Sequence, residues 1–295
     1  MRTTIYLFSI LFLLGSCIKN NPDPSWIEVG TWKLVENPNS QNSPGILTDN
    51  ISDAWVYVND ELVGVFEVPF KIPILKDGDA EVKVYPAIRN NGISATKKIY
   101  PFLDAYVTNV NLVKNETVVI TPITQYKNAT QFWIEDFEDA TYDILEGTAS
   151  LATIVRVNDP AVLNPEINDG FFGRISLDET INSYSGSTTA NFNGSLVMNL
   201  PRGQEVYLEI DYHTTNAITT GVIAVGSGGV VDNPYIQLNP QSESEVHWKK
   251  IYIDLREIVS SSSTADYFEF SFRAILDEGD SSGEINIDNI KAVYF

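Results

Sequence analysis

Cysteine and histidine are nearly absent from this chain of 295 residues. Its one cysteine, Cys17, allows no intrachain disulfide and no cysteine-based zinc site. His213 and His247 leave little for metal or general-base chemistry. Basic side chains are also scarce, with 19 Lys and Arg against 39 Asp and Glu and a net charge of −20. Such a surface argues against nucleic acid or anionic lipid headgroups as partners. No segment keeps a 3.6-residue apolar period over three turns, so long helices are not expected, and Asp254 to Ser260 offers a single helical turn at most. Neither Gly-x-Ser-x-Gly nor His-Glu-x-x-His occurs. Gly226-Ser227-Gly228-Gly229 lacks the Lys-Ser/Thr ending of a phosphate loop and reads as a flexible turn. What the chain does have is apolar residues, 43% of the total, enough to exclude a disordered protein.

The apolar residues start early. Met1 to Thr4 is a short basic start, and Ile5 to Leu14 is a ten-residue apolar run. That run is too short to span a bilayer and the right length for the core of a signal peptide. Leu14-Gly15-Ser16-Cys17 follows and resembles the lipobox of bacterial lipoproteins. The resemblance implies cleavage after residue 16 and acylation of the Cys17 thiol, so that the protein is held to a membrane by its lipid. Ile18, where an Asp would favour inner-membrane retention, points to the outer membrane. The composition looks like that of Bacteroidota, and the choice between cell surface and periplasmic face stays open. Residues 17–25 are polar and proline-containing, suited to a flexible tether.

Beyond the tether, short apolar alternations separated by Gly, Pro, Asn and Asp recur, which reads as all-β. Residues 1–126 carry a net charge of −3 and residues 127–295 a net −17, placing a boundary near 127. In 26–126, Ala54 to Val58, the Asn59-Asp60-Glu61 turn and Leu62 to Phe66 form a hairpin signal. Pro73 should confine Phe70 to Leu75 to an edge strand. Further strands are expected at Ala105 to Val113 and Thr117 to Ile120. The pattern from Trp55 to about Asn91 resembles a PEGA-type, immunoglobulin-like β-sandwich, which implies a spacer. Trp26 and Trp32 read as packing residues at its base.

Residues 127–295 open with Phe132 to Glu138 and close with Gly283 to Phe295, with strand-like runs between, at Ser195–Leu200, Glu205–His213, Gly221–Gly226, Trp248–Leu255 and Tyr267–Leu276. These ends, with Leu200-Pro201-Arg202-Gly203 leading into a Tyr-containing strand, resemble a galactose-binding-type jelly roll shared by many carbohydrate-binding modules. The resemblance implies a structural Ca²⁺ held by Glu138 and Asp288, with Glu135 and Asp139 as helpers; a solvated acidic rim is the other reading of these carboxylates. The apolar alternation slips at Asp288-Asn289, which predicts a β-bulge there.

Glu209-Ile210-Asp211 puts two carboxylates on one strand face, as in jelly-roll glycosidases of the laminarinase type. Tyr212-His213-Thr214-Thr215 follows where the second Glu of that motif would stand, so a polar outer strand face is expected and catalysis is not. Sugar sites combine aromatic faces with Asp, Asn and Arg. The aromatics least explained by alternation are Phe171 and Phe172 (near Arg174), Tyr184 and Tyr235, all in loop-like segments. They are therefore candidates for carbohydrate binding; capping the ends of the sandwich core is the alternative for each. The sequence thus leads to a non-enzymatic, lipid-anchored outer-envelope protein with a glycan ligand. A structural subunit of an outer-membrane secretion, gliding or uptake complex is the second hypothesis, with an outer-membrane protein as its partner.

Overall fold

The computed structural model describes residues 22–163, 170–189 and 198–295. Cys17 and the apolar segment before it lie outside the described residues, as do 195–197 of the strand expected at Ser195–Leu200. Among the described residues no helix is long and apolar enough to cross a membrane. Among the described residues strands dominate, and a six-residue helix, Arg256–Ser261, stands where a helical turn was expected.

The first β-sandwich sets three strands against a larger sheet. One layer is ordered β5 (Phe70–Ile74), β1 (Ser25–Val29), β9 (Thr117–Ile120). The other runs β4 (Glu61–Glu67), β3 (Asp53–Val58), β6 (Gly78–Arg89), β7 (Lys97–Ile99), with β8 (Tyr106–Leu112) also on β6. Two short strands, β2 (Lys33–Leu34) and β10 (Ile123–Thr124), pair separately. Asn59 and Asp60 both take positive φ, 54° and 63°, and close the β3–β4 hairpin with the twist a two-residue turn needs. Pro73 sits on β5 at the sheet edge, where its missing N–H costs no ladder bond. Val56, Val58, Val82 and Val84 point inward against Ile27, Val29, Ile72 and Ile74. Trp32 is buried and its Nε1 donates to Asp53 O at 3.1 Å, while Trp26 is half-buried beneath Lys71.

The second β-sandwich has two larger sheets. One is ordered β13 (Ile154–Val157), β14 (Phe172–Asp178), β21 (Ser282–Tyr294), β16 (Val206–Thr214), β19 (Lys249–Asp254), with β11 (Gln131–Glu135) also on β21. The other is ordered β12 (Ile144–Glu146), β15 (Ser183–Thr188), β20 (Ala265–Ile275), β17 (Ile218–Gly226), β18 (Gly229–Leu238). Phe268, Phe270 and Phe272 alternate inward from β20 and meet Ile285, Ile287, Ile290 and Ala292 of β21. The expected bulge on β21 is present. Glu209 faces Lys291 and Asp211 faces Asp288, so β21 carries one extra residue there, and Asn289 has φ 46°. Gly226 and Gly229 pair across the β17–β18 turn.

The outer face of the β16–β19–β21 sheet is not solvated. Tyr207, Tyr252 and Val293 project from it into the core of the first sandwich. Tyr100 meets the rings of Tyr207 and Tyr252 at centroid separations of 5.1 and 4.9 Å. This corrects the reading of Glu209 and Asp211 as an exposed polar strand face. Both point outward from the sheet as period 2 requires, but the first sandwich lies on top of them and both are buried.

Candidate functional site

Burial of Glu209 and Asp211 is compensated locally. Tyr100 and Tyr126 donate to Glu209 Oε1 at 2.5 and 2.9 Å, and Lys250 Nζ lies 2.9 Å from Oε2. Lys250 also reaches Asp211 Oδ1 at 3.4 Å and Thr48 at 3.0 Å. Burial alone would raise the Glu209 carboxyl, but Lys250 and Lys291 outweigh it and hold the pKa below its usual value. Lys291, buried beside Lys250, is pushed down to about 8. These carboxylates bind the two sandwiches together and are closed to a substrate.

Among the described residues the opposite sheet sends no side chain into the core of the first sandwich. Because Phe268, Phe270 and Phe272 face the core, Tyr267, Glu269, Ser271 and Arg273 face outward. Cross-strand register then assembles a row of small residues, Ser187–Ser271–Gly221–Pro234, across β15, β20, β17 and β18. Larger side chains flank this trough. Ser185, Arg273 and Thr219 stand on one side, and Glu269, Ile223 and Asp232 on the other. Arg273 pairs with Asp232 diagonally across β17, over the position where Gly221 has no side chain. A Cβ on Gly221 would lie 2.4 Å from Asn233 O and 2.9 Å from Ser271 Oγ, so the trough depends on this glycine. Glu269 accepts from Ser187 at 3.4 Å, and partial burial raises its pKa. The Ser185 and Ser187 hydroxyls, Glu269, the Arg273–Asp232 pair and the Tyr267 ring thus share one half-exposed surface above the buried Ser271 and Gly221, a mixture suited to a hydroxylated ligand with apolar faces.

The aromatic residues singled out by sequence are scattered. Tyr184 is corrected from loop to strand, on β15 with its ring in the core. Ser183, Ser185 and Ser187 mimic loop chemistry, yet they only line the outer side of a strand whose inner side is Tyr184, Gly186 and Thr188. A Cβ on Gly186 would lie 2.3 Å from the Tyr184 hydroxyl, so this glycine makes room for the ring. Phe172 is likewise corrected to a buried position on β14, edge-on to Trp248 at 5.6 Å. Phe171 is half-buried under the Arg156 guanidinium, 3.2 Å from the ring centroid. Arg174 bonds Asn286 at 2.8 Å and Asp159 at 3.1 Å, and lies 3.4 Å from Glu284, so its charge is spent within the sandwich. Tyr235 alone of these aromatics is exposed, and it too lies on a strand, β18. The outward residues of β20 and β15 were missed, because only their alternation, and no motif, marks them.

The carboxylates expected to share Ca²⁺ serve other groups. Glu138 Oε1 accepts from the amides of Gly170 and Phe171 at 2.9 and 2.7 Å. Glu135 accepts from the amides of Phe137 and Asp143, at 2.8 and 2.5 Å. Asp288 accepts from the Asn289 amide at 2.7 Å, and Asp139 is exposed. Among the described residues no group of three His, Cys, Asp or Glu is placed to hold a metal ion. Glu138, Asp288, Glu135 and Asp139 are thus not gathered into one such group.

No family model matches the chain, and no curated protein does. Solved structures similar to it include the family 11 carbohydrate-binding module of a cellulosomal cellulase from Clostridium thermocellum. That match has 18% identity and TM-score 0.35 over 56% of this chain and 95% of the other. A carbohydrate-binding module specific for non-crystalline cellulose matches at 15% identity and TM-score 0.35, over 53% and 90%. An arabinose-bound α-L-arabinofuranosidase matches at 12% identity and TM-score 0.37, over 54% of this chain and 25% of that one. At such identities and scores, what this chain binds has to be read from its own side chains.

Proposed function

We propose that the protein is a non-enzymatic carbohydrate-binding protein of the outer envelope, anchored by acyl chains on Cys17. The glycan lies across the outer face of β15, β20, β17 and β18, over the Arg273–Asp232 pair that spans the buried Ser271 and Gly221. One observation carries this reading. Of the two outer faces of that sandwich, one is partly taken up by the first sandwich at β16, β19 and β21, and the other presents Tyr267, Glu269, Arg273 and Asp232 along its middle strands.

An extended saccharide suits such a face because each ring has an apolar C–H side and its hydroxyls ask for both donors and acceptors. Ser185 and Ser187 supply either, Arg273 donates, and Glu269 and Asp232 accept. The apolar side of a sugar ring meets Tyr267 and Ile223. In this account the first sandwich, PEGA-like in sequence, acts as a fixed base between the lipid and the working face. Affinity electrophoresis of the folded protein through cell-wall and plant polysaccharides tests the reading. Retarded migration in at least one polysaccharide is expected, and unretarded migration in all of them contradicts it.

A further inference from the structure

A second cleft lies where the two sandwiches meet. It is a shallow, solvent-open depression of about 820 Å³, lined by Asn90 and Asn91 of the first sandwich and by Tyr235, Asp254, Arg256 and Glu257 of the second. Two structural devices build it.

The first device is a bulge. Thr220 faces Ile236 and Gly221 faces Pro234, so Tyr235 is the extra residue of β18, released from the regular inward–outward alternation. Its ring is exposed, and its hydroxyl lies 3.5 Å from Asn91 Nδ2. The second device is the turn after β6, which is locked to β19. Asn91 N donates to Tyr252 O at 2.9 Å, Asp254 N donates to Asn91 Oδ1 at 2.8 Å, and Tyr207 donates to Asn90 Oδ1 at 3.0 Å. Gly92 follows with φ +71°, and a Cβ there would lie 3.1 Å from Ile251 Cδ1. The turn is thus held in place before any ligand arrives, so little ordering cost falls on binding.

We propose that this composite cleft binds a short neutral saccharide or the terminal sugar of a longer glycan. The choice of ligand class rests on the carbohydrate reading above, while the site is separate from the open face. Charge supports a neutral ligand. Lys98 is held by Glu205 and Asp254 at 3.0 and 2.9 Å, and Arg256 lies 3.1 Å from Glu205. The local cations are thereby committed to carboxylates, and Glu257 adds a further negative charge, which disfavours anions. An aromatic ring beside an amide and carboxylates is the combination that holds a sugar by one apolar face and its edge hydroxyls. In this arrangement the first sandwich contributes recognition as well as spacing.

The test is titration of the full chain with neutral trisaccharides of glucose, mannose, xylose and N-acetylglucosamine by isothermal calorimetry. At least one should bind, and Tyr235→Ala should weaken it about tenfold or more, as expected for losing a stacked ring and its hydroxyl. Asn91→Asp retains the acceptor for Asp254 N but loses the donor; it should weaken the same trisaccharide about threefold or more, the scale of one hydrogen bond. Both variants should unfold at the wild-type temperature, which separates lost contact from lost fold. Unchanged affinity in either variant overturns the composite cleft. So does the absence of trisaccharide binding by protein that polysaccharide gels retard, an outcome that leaves the open face standing.

Discussion

Single buried side chains set the sharpest constraints. The Tyr184 hydroxyl is buried and, among the described residues, has no hydrogen-bond partner. Tyr184→Phe should therefore leave stability unchanged or raise it by about 1 kcal/mol, read from urea denaturation, because it removes an unsatisfied polar group and keeps the ring. A loss of more than about 1 kcal/mol would show that the hydroxyl is satisfied after all. Lys250 is the opposite case. Lys250→Met leaves Glu209 and Asp211 without their shared cation and should cost about 3–5 kcal/mol. Adding Glu209→Gln to that variant should recover part of the loss.

Lys291 gives a pH signature. Its folded pKa, about 8, lies below the ordinary value of 10.5, so between these pH values the unfolded state holds more protons. Stability from this group therefore rises as pH climbs from about 8 toward 10.5, by on the order of 2–3 kcal/mol. Unfolding curves for wild type and Lys291→Met across that window should differ in slope, with the steeper rise in wild type. Parallel curves would contradict the assignment. At this scale the sequence was only partly legible. The slip at Asp288-Asn289 revealed the bulge, because apolar parity changes there whatever the partner strand. Burial of Glu209 and Asp211 was invisible, since a carboxylate on a strand looks the same whether water or another sandwich faces it.

Individual elements divide along the same line. The β3–β4 hairpin and the edge position of β5 could be read because Asn59-Asp60 and Pro73 act through local backbone chemistry. The parallel pairing of β1 with β9 joins residues about ninety positions apart, and nothing local encodes it. Strand β15 was hidden for another reason. Its outward serines are turn formers, and its inward pattern needs Gly186 in place of a bulky apolar residue. The open-face trough has its own test at Gly221. Gly221→Val puts branched carbons where Asn233 O and Ser271 Oγ already stand, which should disturb the β17–β18 pairing. Reduced amide protection of β18 in hydrogen exchange, together with weaker polysaccharide retention, is expected. Full retention would mean that the trough does not hold the ligand.

For the whole molecule, the shared core of Tyr100, Tyr207 and Tyr252 and the buried ions beneath it make the two sandwiches one unit. Calorimetry should show one cooperative unfolding transition. Two separated transitions would mean that the interface adds little stability. At the membrane, the account predicts that Cys17→Ser moves the protein from the membrane fraction to the soluble one.

The central claim is that the open face of the second sandwich grips a glycan, and one comparison tests it most directly. The dissociation constant of a retarding polysaccharide should be measured for wild type and for a folded Tyr267→Ala/Arg273→Ala variant. Loss of the ring and the guanidinium together should weaken binding about a hundredfold. Equal dissociation constants would contradict the account.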